Sequence, residues 1–179
     1  MTEAASVYGE ALYALAKDEN KSELMLSQLK ALDESFAAEP SFIRLLSAPN
    51  LSKIERKEIL DTCFKGKADP YLLNFLKILM EKGYIRQFSS CVQVFCERYN
   101  EDHGIMAVTA VTAVAMSDGQ KEKLAAKLAG ITGKQIELTN TIDPACIGGV
   151  RLDYDGKRVD DTIIHRLDAV SSMLKNTIL

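Results

Sequence analysis

The chain has 179 residues, a formal net charge of −3 and a pI near 5.5, so it lacks the basic excess typical of nucleic-acid-binding proteins. Its hydrophobic fraction of 47% and charged fraction of 26% are those of a soluble protein, and no apolar run is long enough to cross a bilayer. The first ten residues contain two acids and no Lys or Arg, which excludes a charged secretory signal and a basic transit peptide. We therefore expect a cytosolic protein, or a mature form that has already been trimmed.

The first hundred residues carry apolar side chains at helical spacing almost throughout. The short connections between these helices predict an all-α six-helix bundle, which we place at residues 1–104. The fifth helix is apolar over most of its circumference, so we expect it to be central or to be covered on its outer side. The six predicted helices run from Ala4 to Lys17, from a cap at Asn20 or Ser22 to the residue before Pro40, from Ser41 to Leu46, from the Ser52-Glu55 capping box towards Cys63, from Asp69-Pro70 to a stop at Gly83, and from Ile85 to about Glu101.

Residues 105–179 differ in character and predict a small α+β domain in the order β-α-β-β-α. Asp155-Gly156 is a strong signal for a tight hairpin turn, and Asp160 or Asp161 is a good N-cap for a terminal helix. The predicted elements are a strand from Met106 to Val114, a helix from Asp118 to Ala129 capped by Ser117 and stopped by Gly130 and Gly133, a strand from Gln135 to Ile142, a hairpin of Ile147–Asp153 and Lys157–Val159, and a helix from Thr162 to about Lys175.

Four cysteines, Cys63, Cys91, Cys96 and Cys146, are the first candidates for metal or redox chemistry. Only Cys91 and Cys96 are close in sequence, and a separation of five residues on a helix turns their sulfurs to different faces. The sequence contains no CxxC motif. We therefore interpret the cysteines as small buried hydrophobic residues in a reducing compartment.

An acidic cluster near the C-terminus is the best case for a metal site. Asp161 and His165 are four residues apart, so they could share a cation on one helix face. A calcium loop of the EF-hand type, counted from Asp153, would need a Glu where Ile164 stands, so that motif fails. We therefore assign Asp153 and Asp155 to the turn and Asp160 or Asp161 to the helix cap, and we predict no metal, cofactor or catalytic site.

Gly148-Gly149 could be mistaken for a phosphate-binding loop, which needs glycines between a strand and the start of a helix. Here the glycines lead into a strand, so close backbone packing or a bulge is the better interpretation. The sequence also contains no Walker motif, nucleophile elbow or HExxH motif. Nothing in it indicates an enzyme.

The first helix is unusually rich in small residues, which would allow another helix to approach closely. These residues face either neighbours within the bundle or a partner helix in a groove between the first and fifth helices, and both alternatives are open. The small residues are Ala4, Ala5, Gly9, Ala11, Ala14 and Ala16.

Four segments carry motifs that occur together in one family. Tyr8–Ala16 looks like its Tyr-Ala-x-Ala-Leu-aromatic-x-x-Ala opening, and Leu45–Pro49 looks like its Leu-x-Asn/Ser-Pro break. Asn74–Ile85 is similar to its fifth helix and the following glycine turn, and Gly148–Leu167 to its Gly-Gly-apolar … Asp-Gly-Ser … Arg-Leu signature. Over nearly its whole length the chain therefore resembles the delta subunit of F-type ATP synthase, called the oligomycin-sensitivity-conferring protein in mitochondria.

Three positions depart from the pattern of that family. Val7 stands where the family often has an arginine, and Asp161-Thr162 replaces its usual Gly-Ser. Gly9 replaces an alanine, which by itself weakens a helix by about 0.5–1 kcal/mol. These departures affect details of the contacts and not the resemblance.

The resemblance implies a non-catalytic stator subunit that couples proton translocation to ATP synthesis by keeping the alpha–beta ring from turning with the rotor. It implies that residues 1–104 bind N-terminal segments of the alpha subunits, and that residues 105–179 bind the C-terminal ends of the b subunits of the peripheral stalk. It implies no cofactor, no nucleic acid, and a peripheral place at the cytoplasmic face of the bacterial cell membrane, held there only through the complex. For the groove that binds an alpha subunit we expect Tyr8, Ala11, Leu12, Leu15, Phe75, Ile78 and Leu79.

Two other classes of protein compete with this interpretation. A helical-bundle regulatory adaptor of RNA or transcription factors would need a basic face, whereas residues 1–104 carry 13 basic and 16 acidic side chains. A small metal-dependent enzyme would use the Asp155–His165 region, and metal analysis of the purified protein would test that hypothesis.

Overall fold

The computed structural model describes residues 3–48, 51–154 and 156–163, which belong to two compact units, Met1–Tyr99 and Asn100–Leu179. The division falls within the sixth helix, five residues before the predicted boundary at residue 104. The helices of the described ranges are α1 (Glu3–Asp18), α2 (Ser22–Ala38), α3 (Pro40–Leu46), α4 (Lys53–Phe64), α5 (Pro70–Glu81), α6 (Phe88–Asp102) and α7 (Asp118–Thr132). The strands are β1 (Ile105–Thr112), β2 (Gln135–Ile142), β3 (Val150–Tyr154) and β4 (Lys157–Asp160).

α5 contributes six buried residues to the core of the helical unit, more than any other described helix, so of the two alternatives expected for it the central position is the one observed. Phe36 of α2 lies beside three other rings, with centroid distances of 5.6 Å to Phe42, 6.1 Å to Phe64 and 5.1 Å to Phe88. Each large apolar side chain removed from water contributes about 1.5–3 kcal/mol, so these residues dominate the stability of the unit. The buried residues of α5 are Leu72, Leu73, Phe75, Leu76, Leu79 and Met80.

Local capping signals are confirmed at α4 and α5. Ser52 accepts a hydrogen bond from the Glu55 N–H at 3.2 Å, and its own N–H donates to Glu55 Oε2 at 2.8 Å, which forms the predicted capping box. Asp69 caps α5, whose first residue is Pro70. Gly83 follows α5 with a φ of 79°, as a C-terminal glycine does.

The predicted cap of α2 is wrong. Asn20, with a φ of 53°, ends α1 instead of starting α2, because the Lys21 N–H folds back to the Ala16 carbonyl at 2.8 Å. Lys21 is the N-cap of α2 and makes no side-chain capping bond, and Ser22 is already helical.

Three other helix boundaries differ by a few residues from those predicted. α3 begins at Pro40, because proline is tolerated in the first turn of a helix. A 3₁₀ turn at Ile85–Gln87 precedes α6, which starts at Phe88. α7 continues through Gly130, and only Gly133, with a φ of 69°, caps it.

The second unit contains a four-stranded sheet in the order β2-β1-β3-β4. β1 and β2 are parallel and are connected through α7, whereas β1 with β3 and β3 with β4 are antiparallel. The predicted order β-α-β-β-α counts one strand too few, because each arm of the hairpin joins the sheet as a strand of its own.

β1 ends at Thr112, two residues before its predicted end. The side chain of Asn140 on β2 donates to the Ala110 carbonyl at 2.8 Å and accepts from the Met116 N–H at 2.9 Å. Thr112 Oγ1 donates to the Val114 carbonyl at 2.7 Å. These bonds turn the chain away from the sheet before α7 begins.

Gly148 and Gly149 precede β3, and the hairpin begins at Val150 instead of Ile147. The Asp161 N–H donates to the Val150 carbonyl at 3.2 Å, and the Ile163 N–H donates to the Gly148 carbonyl at 3.0 Å. A Cβ on Gly149 would lie 2.4 Å from the Asp161 carbonyl oxygen, so the interpretation as close backbone packing is confirmed.

After β4, Asp160 forms a local turn with Thr162, and the N-cap predicted at Asp160 or Asp161 stays a prediction because the helix it would cap is not described. Asp160 Oδ1 accepts hydrogen bonds from Thr162 N–H at 3.0 Å and Thr162 Oγ1 at 2.6 Å. The predicted turn residue Asp155 and the predicted terminal helix after Ile163 lie outside the described residues.

Candidate docking surfaces

α1 and α5 lie side by side in opposite directions. Near the start of α1, the Tyr8 ring lies 5.8 Å from the ring of Tyr84, which follows α5. After the end of α1, Lys21 Nζ binds the carboxylate of Asp69, the N-cap of α5, at 2.9 Å. A strip of surface along both helices is therefore bounded by a tyrosine pair at one end and by an ion pair at the other.

Three of the seven residues expected in the groove are core residues. Leu12, Phe75 and Leu79 are buried within the helical unit. These three side chains pack in the core beneath the exposed residues of α1 and α5, so they are not accessible to a partner. Helical periodicity alone could not separate them from the outer positions, because both sides of a buried helix repeat with the same period.

The other four residues reach the surface. Tyr8 and Ile78 are half-buried, and Ala11 and Leu15 are exposed. Tyr8, Ala11 and Leu15 are three and four residues apart, so they form one stripe along α1. Together with Ile78 they form an exposed apolar strip between the two ends of the groove.

The sequence interpretation missed two tyrosines at the ends of this strip. Tyr84 contacts Tyr8, and Tyr71 lies under Lys21 with Nζ 5.1 Å from the ring centroid. The signal for Tyr71 was present, because it lies seven residues before Ile78 and therefore on the same face of α5. Tyr84 lies beyond α5, so no helical spacing predicts it.

Asp69 connects three segments of the helical unit. Its carboxylate accepts from Lys21 Nζ at 2.9 Å and from Tyr71 N–H at 2.9 Å, and its own N–H donates to Gln28 Oε1 at 2.8 Å. Burial by itself raises the pKa of Asp69, but the bonds from Lys21 and Tyr71 hold this pKa below its usual value. The hydrogen bond to Asp69 raises the pKa of Lys21 in turn.

We expect Asp69→Asn to lower the free energy of unfolding at neutral pH by about 1 kcal/mol, because the amide keeps a capping oxygen but loses the ion pair. Because the pKa of Asp69 is lower in the folded protein than in the unfolded chain, its ionised carboxylate stabilises the fold at pH values above the unfolded-state pKa. This stabilisation is lost as the pH falls through the folded-state pKa of Asp69. The variant should therefore lose less stability on acidification than the wild type. Urea unfolding followed by circular dichroism from pH 7 to pH 3 measures both effects.

Asp118→Asn is the matched control for this prediction, because the Asp118 side chain is 95% exposed and its ion pair with Lys121 lies at the surface. Its expected effect is within about 0.5 kcal/mol. The role of Asp69 would be contradicted if both variants lowered the free energy of unfolding equally. It would also be contradicted if Asp69→Asn lost as much stability between pH 7 and pH 3 as the wild type does.

A second apolar concavity lies between α2, α3 and α4, with a volume of about 540 Å³. Phe36, Phe42 and Phe64 form its walls, and the Phe42 and Phe64 ring centroids are 5.9 Å apart. Among the described residues that line it, Glu39 alone is charged. No pattern in the sequence predicts this pocket, because its walls come from three different helices.

The described ranges contain no group of three or more His, Cys, Asp or Glu residues that could hold a metal ion. Burial raises the pKa of the Cys91 thiol to about 11, so this thiol is protonated and unreactive at neutral pH. Arg158 Nε donates to Asp153 at 2.7 Å, and this bond holds the pKa of Asp153 below its usual value. Asp155 and His165 of the metal hypothesis lie outside the described residues.

Among the described helices, none combines the length and the apolar character that a membrane crossing requires. The chain thus consists of a helical unit with an exposed apolar strip and a mixed unit built on a four-stranded sheet. The candidate site in the described residues is therefore a surface on which another protein could dock.

Comparisons with known proteins identify the family. The family model described as ATP synthase delta (OSCP) subunit matches residues 4–174. ATP synthase subunit delta of Lacticaseibacillus casei is 32% identical over 168 residues, which cover 93% of this chain and 92% of that protein. The subunit of the same name from Lactobacillus delbrueckii subsp. bulgaricus is 33% identical, with 96% of each chain covered. The chain belongs to the ATP synthase delta (OSCP) subunit family.

The fold agrees with this assignment. A chain in the cryo-EM structure of the Toxoplasma gondii mitochondrial ATP synthase hexamer superimposes with a TM-score of 0.77 over 97% of this chain and 98% of that chain, at 19% identity. The protein is therefore a non-catalytic stator subunit that links to the peripheral stalk of F-type ATP synthase. The hypothesis of an adaptor of RNA or transcription factors has no support from these relatives.

Proposed function

We propose that the strip between α1 and α5 binds the N-terminal segment of an alpha subunit as a helix. The observation that carries the proposal is the exposed apolar stripe of Tyr8, Ala11 and Leu15 beside Ile78 of α5. A partner helix with apolar residues at three- and four-residue spacing would cover this strip. In this proposal α1 to α6 act as one six-helix bundle over residues 1–104.

The chemistry of the strip suits tight helix packing. Ala11 has only a methyl group, so a partner backbone can approach α1 closely at the middle of the strip. Tyr8 and Tyr84 at one end offer flat apolar surface together with hydroxyl groups, a combination common at interfaces. An interface of standard size, about 1,200–2,000 Å², supports nanomolar binding when its contacts pack well.

We further propose that the second unit, residues 105–179, binds the C-terminal ends of the b subunits. Two docking surfaces on one chain would then connect the alpha–beta ring to the peripheral stalk and keep the ring from turning with the rotor. Because a stator works under continuous load, slow dissociation at both surfaces is the property that matters. The protein would sit at the cytoplasmic face of the bacterial membrane, held there only through the complex.

Calorimetric titration of the full chain with a synthetic peptide of the first 20 or so residues of its alpha subunit tests the groove. We expect a one-to-one complex of sub-micromolar affinity. Ala11→Glu should weaken this binding at least about tenfold, because it places a bulky charge at the centre of the strip. Ala31→Glu on the exposed side of α2 is the matched control, and its affinity should stay within about twofold of the wild type.

Circular dichroism of each variant shows whether its helices are intact. Absence of binding by the folded wild type would refute the groove. Equal weakening by Ala11→Glu and Ala31→Glu would place the peptide elsewhere on the helical unit.

A further inference from the structure

The apolar concavity between α2, α3 and α4 has the properties of a small-molecule pocket. Its volume, about 540 Å³, lies within the range of about 300–1,000 Å³ that is typical of ligand pockets in proteins. The rings of Phe36 and Phe42 are stacked at 24°, and the Phe64 ring stands edge-on to both, at 76° and 84°. Leu45 and Cys63 complete the apolar lining. This concavity is called the phenylalanine pocket below.

The walls of the phenylalanine pocket are held by the core of the helical unit. Phe36 is buried, and its ring centroid lies 5.1 Å from that of the core residue Phe88. Phe42 and Phe64 are half-buried, so part of their aromatic surface is open to solvent. The pocket is therefore formed before any ligand arrives, and binding does not have to order its walls.

The polar groups of the pocket accept hydrogen bonds better than they donate them. Ser35 Oγ donates to the Ala31 carbonyl at 2.7 Å, and Ser41 Oγ donates to Glu39 Oε2 at 2.9 Å. Each hydroxyl has a single hydrogen, so both hydrogens are used within the protein. The Glu39 carboxylate is an acceptor only, and the Cys63 thiol is a weak donor. A ligand that supplies the donor therefore suits this pocket.

Glu39 gives the pocket a negative charge that no described side chain neutralises. Arg44, Lys65 and Lys67 lie close in sequence to lining residues of α3 and α4, but none of them lines the pocket. In the described ranges Glu39 forms no ion pair, and its side chain accepts a hydrogen bond only from Ser41. Aromatic surface beside such a carboxylate is complementary to a cation, because ring faces and carboxylates both attract positive charge.

We propose that the phenylalanine pocket binds a small aromatic or alicyclic molecule that carries an ammonium group. The apolar body of the ligand packs against Phe42 and Phe64, and its ammonium group donates to Glu39. An anionic ligand of the same shape is disfavoured, because its charge faces the Glu39 carboxylate. The site is separate from the strip between α1 and α5, since none of its lining residues belongs to either helix.

The first test titrates the full chain at pH 7 with two probes of equal carbon skeleton and opposite charge, phenylbutylamine and phenylbutyrate. Binding is followed through the backbone amide resonances in two-dimensional NMR spectra. We expect the amine to bind with a dissociation constant of about 1–5 mM, as suits a ligand of this size. It should bind at least about fivefold more tightly than the carboxylate. The largest shifts should come from lining residues of α2, α3 and α4.

The second test removes the charge of Glu39 and keeps its shape. Glu39→Gln retains an oxygen that can accept from Ser41. It should weaken the binding of phenylbutylamine at least about threefold and abolish the preference over phenylbutyrate. Glu34→Gln is the matched control, because Glu34 is exposed on α2 and does not line the pocket. Its affinity should stay within about 1.5-fold of the wild type.

Cys63 provides a measurement that does not depend on charge. Cys63 is half-buried in the pocket wall, whereas Cys96 of α6 is also half-buried but does not line the pocket. Saturating phenylbutylamine should slow the alkylation of Cys63 by iodoacetamide at least about threefold, because the bound probe covers the thiol. Alkylation of Cys96 should change less than about 1.5-fold. Mass spectrometry of the digested protein measures both rates.

Failure of the folded wild type to bind phenylbutylamine overturns the inference, and so does equal or tighter binding of phenylbutyrate. Equal effects of Glu39→Gln and Glu34→Gln would overturn the role of Glu39 as the partner of the ammonium group. Shifts confined to α1 and α5, or an unprotected Cys63, would place the probe on another surface and refute the pocket. None of these results bears on the proposed docking of an alpha subunit, which uses different residues.

Discussion

Replacing Gly149 with alanine is expected to lower the free energy of unfolding of the second unit by about 3–4 kcal/mol. Gly149 has a φ of 84°, and an added Cβ would lie 2.4 Å from the Asp161 carbonyl oxygen and 2.9 Å from Thr162 Cα. Both are backbone atoms, so no rotation of a side chain relieves the overlap. The left-handed conformation costs about 1–2 kcal/mol for a residue with a Cβ, and the overlap adds about 1–3 kcal/mol.

Gly133→Ala separates these two contributions. Gly133 also has a positive φ, 69°, but a Cβ there would meet no atom within 4 Å. We therefore expect this control to cost only about 1 kcal/mol, from the backbone conformation alone. Hydrogen exchange measures each unit by itself, and in Gly149→Ala the amides of Asp161 and Ile163 should be the most strongly affected. Similar losses in both variants would contradict the close packing at Gly149.

The parts of the fold that the sequence predicted correctly depend on local chemistry. The Ser52 capping box, the Asp69 cap and the Gly83 stop each involve residues within four positions of one another. Such signals need no knowledge of the tertiary structure. The predicted cap of α2 was wrong because Asn20 takes a positive φ and ends α1, where the Lys21 N–H bonds to the Ala16 carbonyl. The Lys21 side chain binds Asp69, 48 residues away, which is a partner that no local pattern indicates.

The candidate groove could be predicted only in part. A helical stripe selects one face of α1, but whether a residue of that face is buried, as Leu12 is, or exposed, as Ala11 is, depends on where the other helices lie. Tyr84 joins the groove through a turn after α5, and no periodicity extends across that turn. The family resemblance suggested the candidate groove, and the structure shows which of its residues are exposed and which are buried.

The end of the sheet where the last residues of β1 and β2 meet the start of β3 has no signal in the sequence. Val114, Ile142 and Ile147 are separated by up to 33 residues, and they share an edge only because β1 and β2 are parallel and end together. Ile147 has a φ of 61°, and residues 161 and 163 donate hydrogen bonds to residues 150 and 148, which follow it in the chain. Pairing between distant strands is the information that a single sequence carries least clearly.

We expect Gly9→Ala to lower the free energy of unfolding by about 1–2 kcal/mol, against the trend of helix propensity. An added Cβ on Gly9 would lie 2.7 Å from Val94 Cβ and 2.8 Å from the Cys91 carbonyl oxygen. Overpacking of this kind costs about 1–3 kcal/mol, whereas the better helix former returns about 0.5–1 kcal/mol. Gly130→Ala in α7 is the control, because a Cβ there meets nothing within 4 Å. This variant should be stabilised by its higher helix propensity, about 0.5–1 kcal/mol.

A double variant shows which atoms cause the overlap at Gly9. Val94→Ala removes the Val94 Cγ1 contact at 2.9 Å but keeps the Cβ of residue 94 and the Cys91 carbonyl, so it should not rescue Gly9→Ala. In denaturant unfolding, the double variant should therefore lose about the sum of the free energies that the two single variants lose. Gly9, which by helix propensity alone weakens α1, is then the residue that lets α1 and α6 approach closely. If Gly9→Ala stabilised the protein as Gly130→Ala does, that close approach would be refuted.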